Sequence, residues 1–150
     1  MGLVPTVKTE IRPTDPKKLT EKERQQIKER TPLGLSRAAL LGINIIQDRL
    51  DRGMGYRGNL EPYSPAYLLL KKKRKPENAG VVNLLWSGNM RGSMSSKYND
   101  RFATIYFTRG AEAKKAAMLN EKRPFFGFND RDEATLTEEF RRYVFRGFGK

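Results

Sequence analysis

The sequence contains neither cysteine nor histidine among its 150 residues. The absence of cysteine excludes disulfide bonds, thiolate catalysis and cysteine-based metal sites. Histidine is the usual general base and zinc ligand because its pKa lies close to neutrality. Carboxylates could still support catalysis, but the 17 acidic residues show no paired arrangement, and no GxxxxGK[ST] or GxGxxG loop is present. We therefore expect a protein that is not an enzyme and that has no cofactor and no metal site.

Long apolar runs are also missing. No stretch approaches the roughly 18 consecutive apolar residues of a membrane-spanning helix. The first ten residues do not show a basic start followed by an apolar segment, as a secretory signal would. We expect a protein made in a cytoplasm, without a membrane partner.

Positive charge is abundant. Thirty Lys and Arg against 17 Asp and Glu give a formal net charge of +13. Such a charge favours polyanionic partners, although a solvated basic face produces the same composition. The hydrophobic fraction of 37% indicates a modest core with polar extensions, or an oligomer that buries more surface on assembly.

The N-terminal part of the chain is polar. Residues 1–13 read as an extended arm, and Asp15-Pro16 is a suitable start for a helix over residues 17–30. This helix has few apolar residues, so we expect it to be exposed or to pack on a neighbouring subunit. Thr31-Pro32 is predicted to end it. We assign residues 1–30 to an N-terminal arm and polar helix, and residues 31–150 to a single α+β domain.

Two helices follow in the predicted domain. The first covers residues 35–50 and is the principal core helix, because Ala39, Ile43, Ile46 and Leu50 share one face. The second begins at Ser64-Pro65 and runs into five consecutive cations: Lys71, Lys72, Lys73, Arg74 and Lys75. This run is either a solvated helix end or a patch that faces phosphate groups or an acidic partner.

The second half of the domain is predicted to contain a small antiparallel sheet. Residues 81–86 read as a buried segment that leads through Trp86-Ser87-Gly88 into a strand. Residues 90–96 and 102–107 form a predicted β-hairpin, and residues 111–120 a helix. An extended segment, 122–128, then precedes a final helix capped by Asn129 or Asp130. The expected fold class is α+β, with a small antiparallel β-sheet packed against helices and an extended N-terminal arm.

Two blocks concentrate glycine, arginine and aromatic residues: 84–93 and 122–128. For Phe125 and Phe126 two interpretations are open, packing in the core or contact with another subunit. Arg91 and Arg123 are candidates for pairing at an interface, since the arginine fork suits carboxylates.

The order of motifs resembles that of a known family. Tyr63-Ser64-Pro65-Ala66-Tyr67 is followed by Leu85-Trp86-Ser87-Gly88-Asn89-Met90-Arg91-Gly92-Ser93, then by a hairpin, and then by Arg123-Pro124-Phe125-Phe126-Gly127. This arrangement is similar to the tail-completion, neck and virion-morphogenesis proteins of tailed bacteriophages, including the Mu-type morphogenesis family. The chain departs from that pattern at residues 115–120, where the family often has an aromatic-alanine element ending in glycine.

The resemblance implies a non-enzymatic virion protein at the head–tail junction. Such a subunit would form a homo-oligomeric ring, sixfold or twelvefold, beside portal, neck or tail-tube proteins, with genome DNA in its channel. The alternative function is a small basic nucleic-acid-binding protein, which the net charge and the run Lys71–Lys75 suggest.

Overall fold

A computed structural model describes residues 6–8 and 19–148 of the chain. These residues form an α+β fold, as the sequence predicts. The helices are α1 (Glu21–Asp51), α2 (Pro65–Arg74), α3 (Asn89–Gly92), α4 (Gly110–Lys122) and α5 (Asp130–Val144), with a 3₁₀ turn at Pro76–Asn78. The strands are β1 (Thr6–Lys8), β2 (Met54–Gly55), β3 (Gly58–Asn59), β4 (Met94–Tyr98) and β5 (Phe102–Phe107). The Asp15-Pro16 cap predicted for the first helix lies outside the described residues.

The prediction that Thr31-Pro32 ends a helix is wrong. A single 31-residue helix, α1, runs through Pro32, and the boundary assigned between residues 30 and 31 lies inside it. Proline removes one backbone hydrogen bond from a helix interior. Here the Thr31 hydroxyl donates to the Ile27 carbonyl at 2.7 Å. Ile27 and Leu35, on either side of Pro32, both pack in the core. Thr20 caps the start through a reciprocal capping box with Glu23.

The main sheet has three antiparallel strands in the order β1-β5-β4. The predicted hairpin is confirmed as β4 and β5, with Met94 opposite Phe107 and Tyr98 opposite Ala103. β1 pairs with the other edge of β5, where Val7 lies opposite Ala103. β2 and β3 form a separate two-stranded hairpin directly after α1.

The core lies between α1, α5 and the inner face of the sheet. The predicted face of the core helix is confirmed: Ala39, Ile43, Ile46 and Leu50 are all buried. From α5, the buried side chains are Leu136, Phe140 and Val144. The two helices approach so closely that a Cβ at Gly34 would lie 2.7 Å from a methyl carbon of Val144. Asn129 caps α5, as one of the two predicted alternatives proposed.

Residues 81–86 are not the buried segment that the sequence predicts, because Asn83 is the one buried residue among them and Val81 is 37% exposed. The predicted strand entry through Trp86-Ser87-Gly88 is also wrong, since no residue from 81 to 88 lies in a strand. Leu84 has a left-handed backbone (φ 54°), which is incompatible with a continuous strand. Residues 89–92 are then helical, so the hairpin strand begins at Met94 rather than at residue 90. No helix of the described residues is both long and apolar enough to cross a membrane.

Candidate functional site

The three motifs that carry the family resemblance meet at two tyrosines of the first motif, Tyr63 and Tyr67. The Tyr63 ring lies 4.8 Å from the ring of Tyr67, centroid to centroid, and Tyr67 lies 5.8 Å from Trp86. The Arg123 guanidinium lies 5.3 Å from the centroid of the Tyr63 ring. Segments that are separate in the sequence are therefore joined in space by a row of aromatic contacts, which we call the tyrosine cluster (Tyr63, Tyr67, Trp86 and Arg123).

Arg123 is held inside its own chain. It follows α4, and its side chain is almost fully buried. Nε donates to the Glu61 carbonyl at 2.7 Å, and one terminal nitrogen donates to the Pro62 carbonyl at 2.8 Å. The guanidinium thus binds two consecutive carbonyls of the segment before α2, because its planar fork presents two parallel donors. The sequence suggested that Arg123 pairs with a carboxylate of another subunit. A side chain buried in its own chain is not accessible for that pairing.

Phe125 and Phe126 lie in the core, in agreement with the first of the two interpretations. Phe125 is 0% exposed, and Phe126 packs on Phe107 of β5 with ring centroids 4.9 Å apart. The amide side chain of Asn120, near the end of α4, accepts hydrogen bonds from the backbone N–H groups of both phenylalanines. Neither phenylalanine is available to another subunit.

Arg91 joins α3 to the end of α1. Its guanidinium forms an ion pair with Asp51 at 2.7 Å and donates to the Gln47 carbonyl at 3.2 Å. The Gln47 amide returns a hydrogen bond to the Arg91 carbonyl at 3.3 Å. Arg91 is therefore also engaged within the chain, at the carboxyl end of α1 where a cation is favourable.

Arg49 makes an equivalent connection that the sequence did not reveal. Its guanidinium pairs with Asp132 in the first turn of α5 and donates to the Gly127 carbonyl. Burial lowers the pKa of Arg49, and the charge of Asp132 opposes that effect. Asp132 also accepts from the backbone N–H of Asn129 in the capping box. One carboxylate thus caps α5 and binds it to α1.

Lys71 does not belong to a surface patch. Its side chain is 0% exposed, whereas Lys72, Lys73 and Arg74 are exposed and Lys75 is half-buried. The Lys71 Nζ donates to Asn83 Oδ1 at 3.0 Å and lies 3.4 Å from the Tyr63 hydroxyl. No carboxylate pairs with it among the described residues, and burial lowers its pKa. The predicted patch of five cations is therefore wrong at Lys71.

Lys71 fixes α2 on the segment that follows it. The Tyr63 hydroxyl accepts from the backbone N–H of Leu84 at 3.0 Å, and Asn83 Oδ1 also accepts from the N–H of Leu85. These hydrogen bonds to backbone N–H groups stabilise the left-handed turn at Leu84. Burial raises the pKa of Tyr63, an effect that the Leu84 hydrogen bond partly opposes. No local signal in the sequence separates the buried Lys71 from the exposed cations that follow it.

No group of three or more acidic side chains among the described residues is placed to hold a metal ion. What the described surface does present is exposed apolar side chains on several elements. They are Leu33, Leu40, Met54, Leu69, Leu70, Val81, Tyr98, Phe102 and Met118.

Comparison with protein-family models, with curated protein sequences and with solved structures finds no match to this chain.

Proposed function

We propose that this chain is a structural subunit of the neck of a tailed bacteriophage. In this role, copies of it form a ring at the head–tail junction of the virion, acting in tail completion or as a connector and not as an enzyme. The observation that carries the proposal is the order of the three family-like motifs. Their contact through the tyrosine cluster supports it, because motifs that form one structural unit are less readily explained as chance patterns.

The exposed apolar side chains support assembly into an oligomer. Leu33 and Leu40 lie on the outer side of α1, and Leu69 and Leu70 on the outer side of α2, all at least 41% exposed. Contiguous apolar surface marks sites of protein–protein contact, and Leu69 and Leu70 are adjacent in the sequence. Because the apolar groups lie on different elements, each subunit can contact two neighbours, as a ring requires.

Sedimentation velocity and negative-stain electron microscopy test the proposal. The purified chain is measured over a range of concentrations, alone and after mixing with portal and tail-tube proteins from the same phage. We expect closed rings, sixfold or twelvefold, alone or on a portal or tail. A chain that stays monomeric and joins neither component would contradict the proposal.

A second candidate function is nucleic-acid binding, which the exposed cations Lys72, Lys73 and Arg74 favour. They follow one another at the end of α2 and form no ion pair within the described residues. Fluorescence anisotropy with a duplex oligonucleotide at several salt concentrations tests it. Each phosphate contact contributes about −0.9 to the slope of log K against log salt. Replacing the three cations with Gln should reduce that slope by about 2–3 if they contact phosphates, whereas Lys22→Gln/Lys28→Gln on α1 should not.

A further inference from the structure

The main sheet has a core face and a face with a different composition. α1 packs on the core face, where a Cβ at Gly42 would lie 3.0 Å from Cδ1 of Ile105. Side chains alternate along β5, so Ala103 and Ile105 are fully buried, whereas residues 102, 104 and 106 point to the other side. Each of these three keeps solvent exposure, and Phe102 is 39% exposed. The second face of the sheet is therefore open to solvent.

The pairing of β4 with β5 adds two residues to this open face. Lys97 lies opposite Thr104, and Ser95 lies opposite Tyr106. Directly opposed residues of an antiparallel pair share one face of the sheet. We call the resulting set the outer sheet face; its members are Ser95, Lys97, Phe102, Thr104 and Tyr106.

The two aromatic rings of the outer sheet face do not serve the core. Phe107, the neighbour of Tyr106 on β5, packs against the core and on the ring of Phe126. Tyr106 is half-buried but does not pack against the core, and neither Tyr106 nor Phe102 stacks on another aromatic ring among the described residues. Four residues apart on one strand, they lie about 13 Å from each other. Two bases of the same polynucleotide strand can therefore stack on them.

The charge around these rings is positive. Residues 94–109 contain three cations, Lys97, Arg101 and Arg109, and one acid, Asp100 in the turn. The three cations are exposed and form no ion pair within the described residues.

Lys97 is placed to act together with Tyr106. Its Nζ lies 5.3 Å from the centroid of the Tyr106 ring. Because the lysine stem is flexible, the ammonium can turn from the ring to a phosphate when a base stacks there. Aromatic rings with cations beside them are the combination by which proteins bind single strands, through stacked bases and neutralised phosphates.

We propose that the outer sheet face binds single-stranded nucleic acid, with bases stacked on Phe102 and Tyr106 and with Lys97 against a phosphate. Single strands are favoured over a duplex because base pairing and stacking keep the faces of duplex bases away from the rings. A second copy of this chain is a poorer occupant, since the same positive charge would face itself. The site is separate from the exposed cations of α2, and it does not depend on the proposed ring.

Fluorescence anisotropy with the full chain tests the stacking. The probes are labelled oligo-dT and oligo-U of about 12 nucleotides, within the usual range of single-strand sites, and a DNA duplex. Phe102→Leu and Tyr106→Leu should each weaken single-strand binding by about 5- to 150-fold and leave duplex binding unchanged. Tyr98→Leu is the matched control and should bind like wild type. Tyr98 is 48% exposed in the same hairpin, but it lies opposite Ala103 and so on the other face.

Two conservative variants separate binding from folding. Tyr106→Phe keeps the ring and should bind single strands like wild type. Lys97→Gln, at an exposed position, should preserve the fold by circular dichroism and reduce the single-strand slope of log K against log salt by about 0.7. An unchanged slope in Lys97→Gln would count against the site.

The outcomes also separate this site from the other proposals. Single-strand affinity equal in wild type, Phe102→Leu and Tyr106→Leu, or absent at low salt, would overturn the site and leave the ring standing. A chain that binds single strands through these rings but forms no ring would do the reverse. Preference for oligo-dT or for oligo-U supports the site and identifies the strand as DNA or RNA. Loss of self-association in Phe102→Leu, with single-strand binding unchanged, would assign the face to a contact between copies and overturn the site.

Discussion

The Nζ atom of Lys71 lies 3.0 Å from Oδ1 of Asn83, in a side chain that is fully buried and has no carboxylate beside it among the described residues. Burying an amine without a counter-charge disfavours its protonated form, which is why its pKa is lowered. This pair joins α2 to the segment after it, and it makes the stability of that junction depend on pH.

Lys71→Met should remove this dependence. The unfolded chain holds the Lys71 proton up to a pKa of about 10.4, whereas the folded chain loses it at lower pH. The wild-type free energy of unfolding should therefore rise with pH between the lowered pKa and about 10.4, and the variant should lack this rise. Methionine avoids the cost of a buried amine, so at pH 7 the variant should match or exceed wild-type stability, by up to about 2 kcal/mol.

Urea unfolding measures both the pH dependence and the stability at pH 7 of Lys71→Met. It is carried out between pH 7 and pH 9.5, which lies below the range in which Tyr63 ionises. Lys72→Met, at the adjacent exposed position, is the matched control and should show the wild-type pH profile. A large loss of stability in Lys71→Met at every pH would instead mean that the hydrogen bonds to Asn83 and Tyr63 outweigh the burial of the amine.

Arg123→Lys should destabilise the fold by about 1–3 kcal/mol. Lysine cannot supply the two parallel donors that bind the Glu61 and Pro62 carbonyls, so at least one hydrogen bond of the buried Arg123 side chain is lost. Lys122→Ala removes the neighbouring exposed ion pair with Glu61 and should change stability by less than about 0.5 kcal/mol. Equilibrium unfolding in urea compares the two, and equal effects would refute the role given to the Arg123 fork.

Gly55→Ala should be severely destabilising. A Cβ at position 55 would lie 1.9 Å from the Pro124 carbonyl oxygen, and a backbone atom cannot move aside as a flexible side chain can. Overpacking commonly costs about 1–3 kcal/mol, and a backbone clash lies at or above the top of that range. Gly110→Ala, at the open first position of α4, should be neutral or slightly stabilising. Thermal unfolding followed by circular dichroism measures both variants. A melting temperature of Gly55→Ala equal to that of the wild type would contradict the prediction.

Pro32→Ala should stabilise α1. The substitution restores the hydrogen bond that proline removes, and alanine is about 3 kcal/mol more favourable than proline within a helix. A gain of about 1–3 kcal/mol in urea unfolding is expected. Ala38→Ser, a polar change on the same helix, is a destabilising reference because Ala38 is fully buried. A loss of stability in Pro32→Ala would contradict this prediction. It would mean that the proline sets the direction of the first half of α1, so that this half contacts the C-terminal residues.

Periodicity predicted most of the fold, because the face of α1 from Ala39 to Leu50 and the hairpin β4–β5 follow directly from residue spacing. The end at Pro32 was misplaced because tertiary contacts overrode a local rule. Arg30 donates to the carbonyls of Val144 and Arg146, which anchors the helix on the N-terminal side of the proline.

The candidate site was less predictable from sequence. Lys71 and Arg123 resemble surface cations in a sequence this basic, and only the folded chain places Tyr63 between them. These two cations bind backbone carbonyls and a side-chain amide. Such partners carry no negative charge, so the sequence contains no acidic residue that would point to the pairing. Arg49 and Asp132, more than 80 residues apart, lacked any local signal for the same reason.

The unbroken course of α1 has a mechanical consequence. At a rise of 1.5 Å per residue its 31 residues span about 46 Å, and it contacts Arg146 and Phe148 near one end and the β2–β3 hairpin at the other. A helix is stiff along its axis, so the two ends move together. The length of α1 therefore sets a fixed distance between the C-terminal residues that contact Arg30 and the β2–β3 hairpin at the other end of the helix.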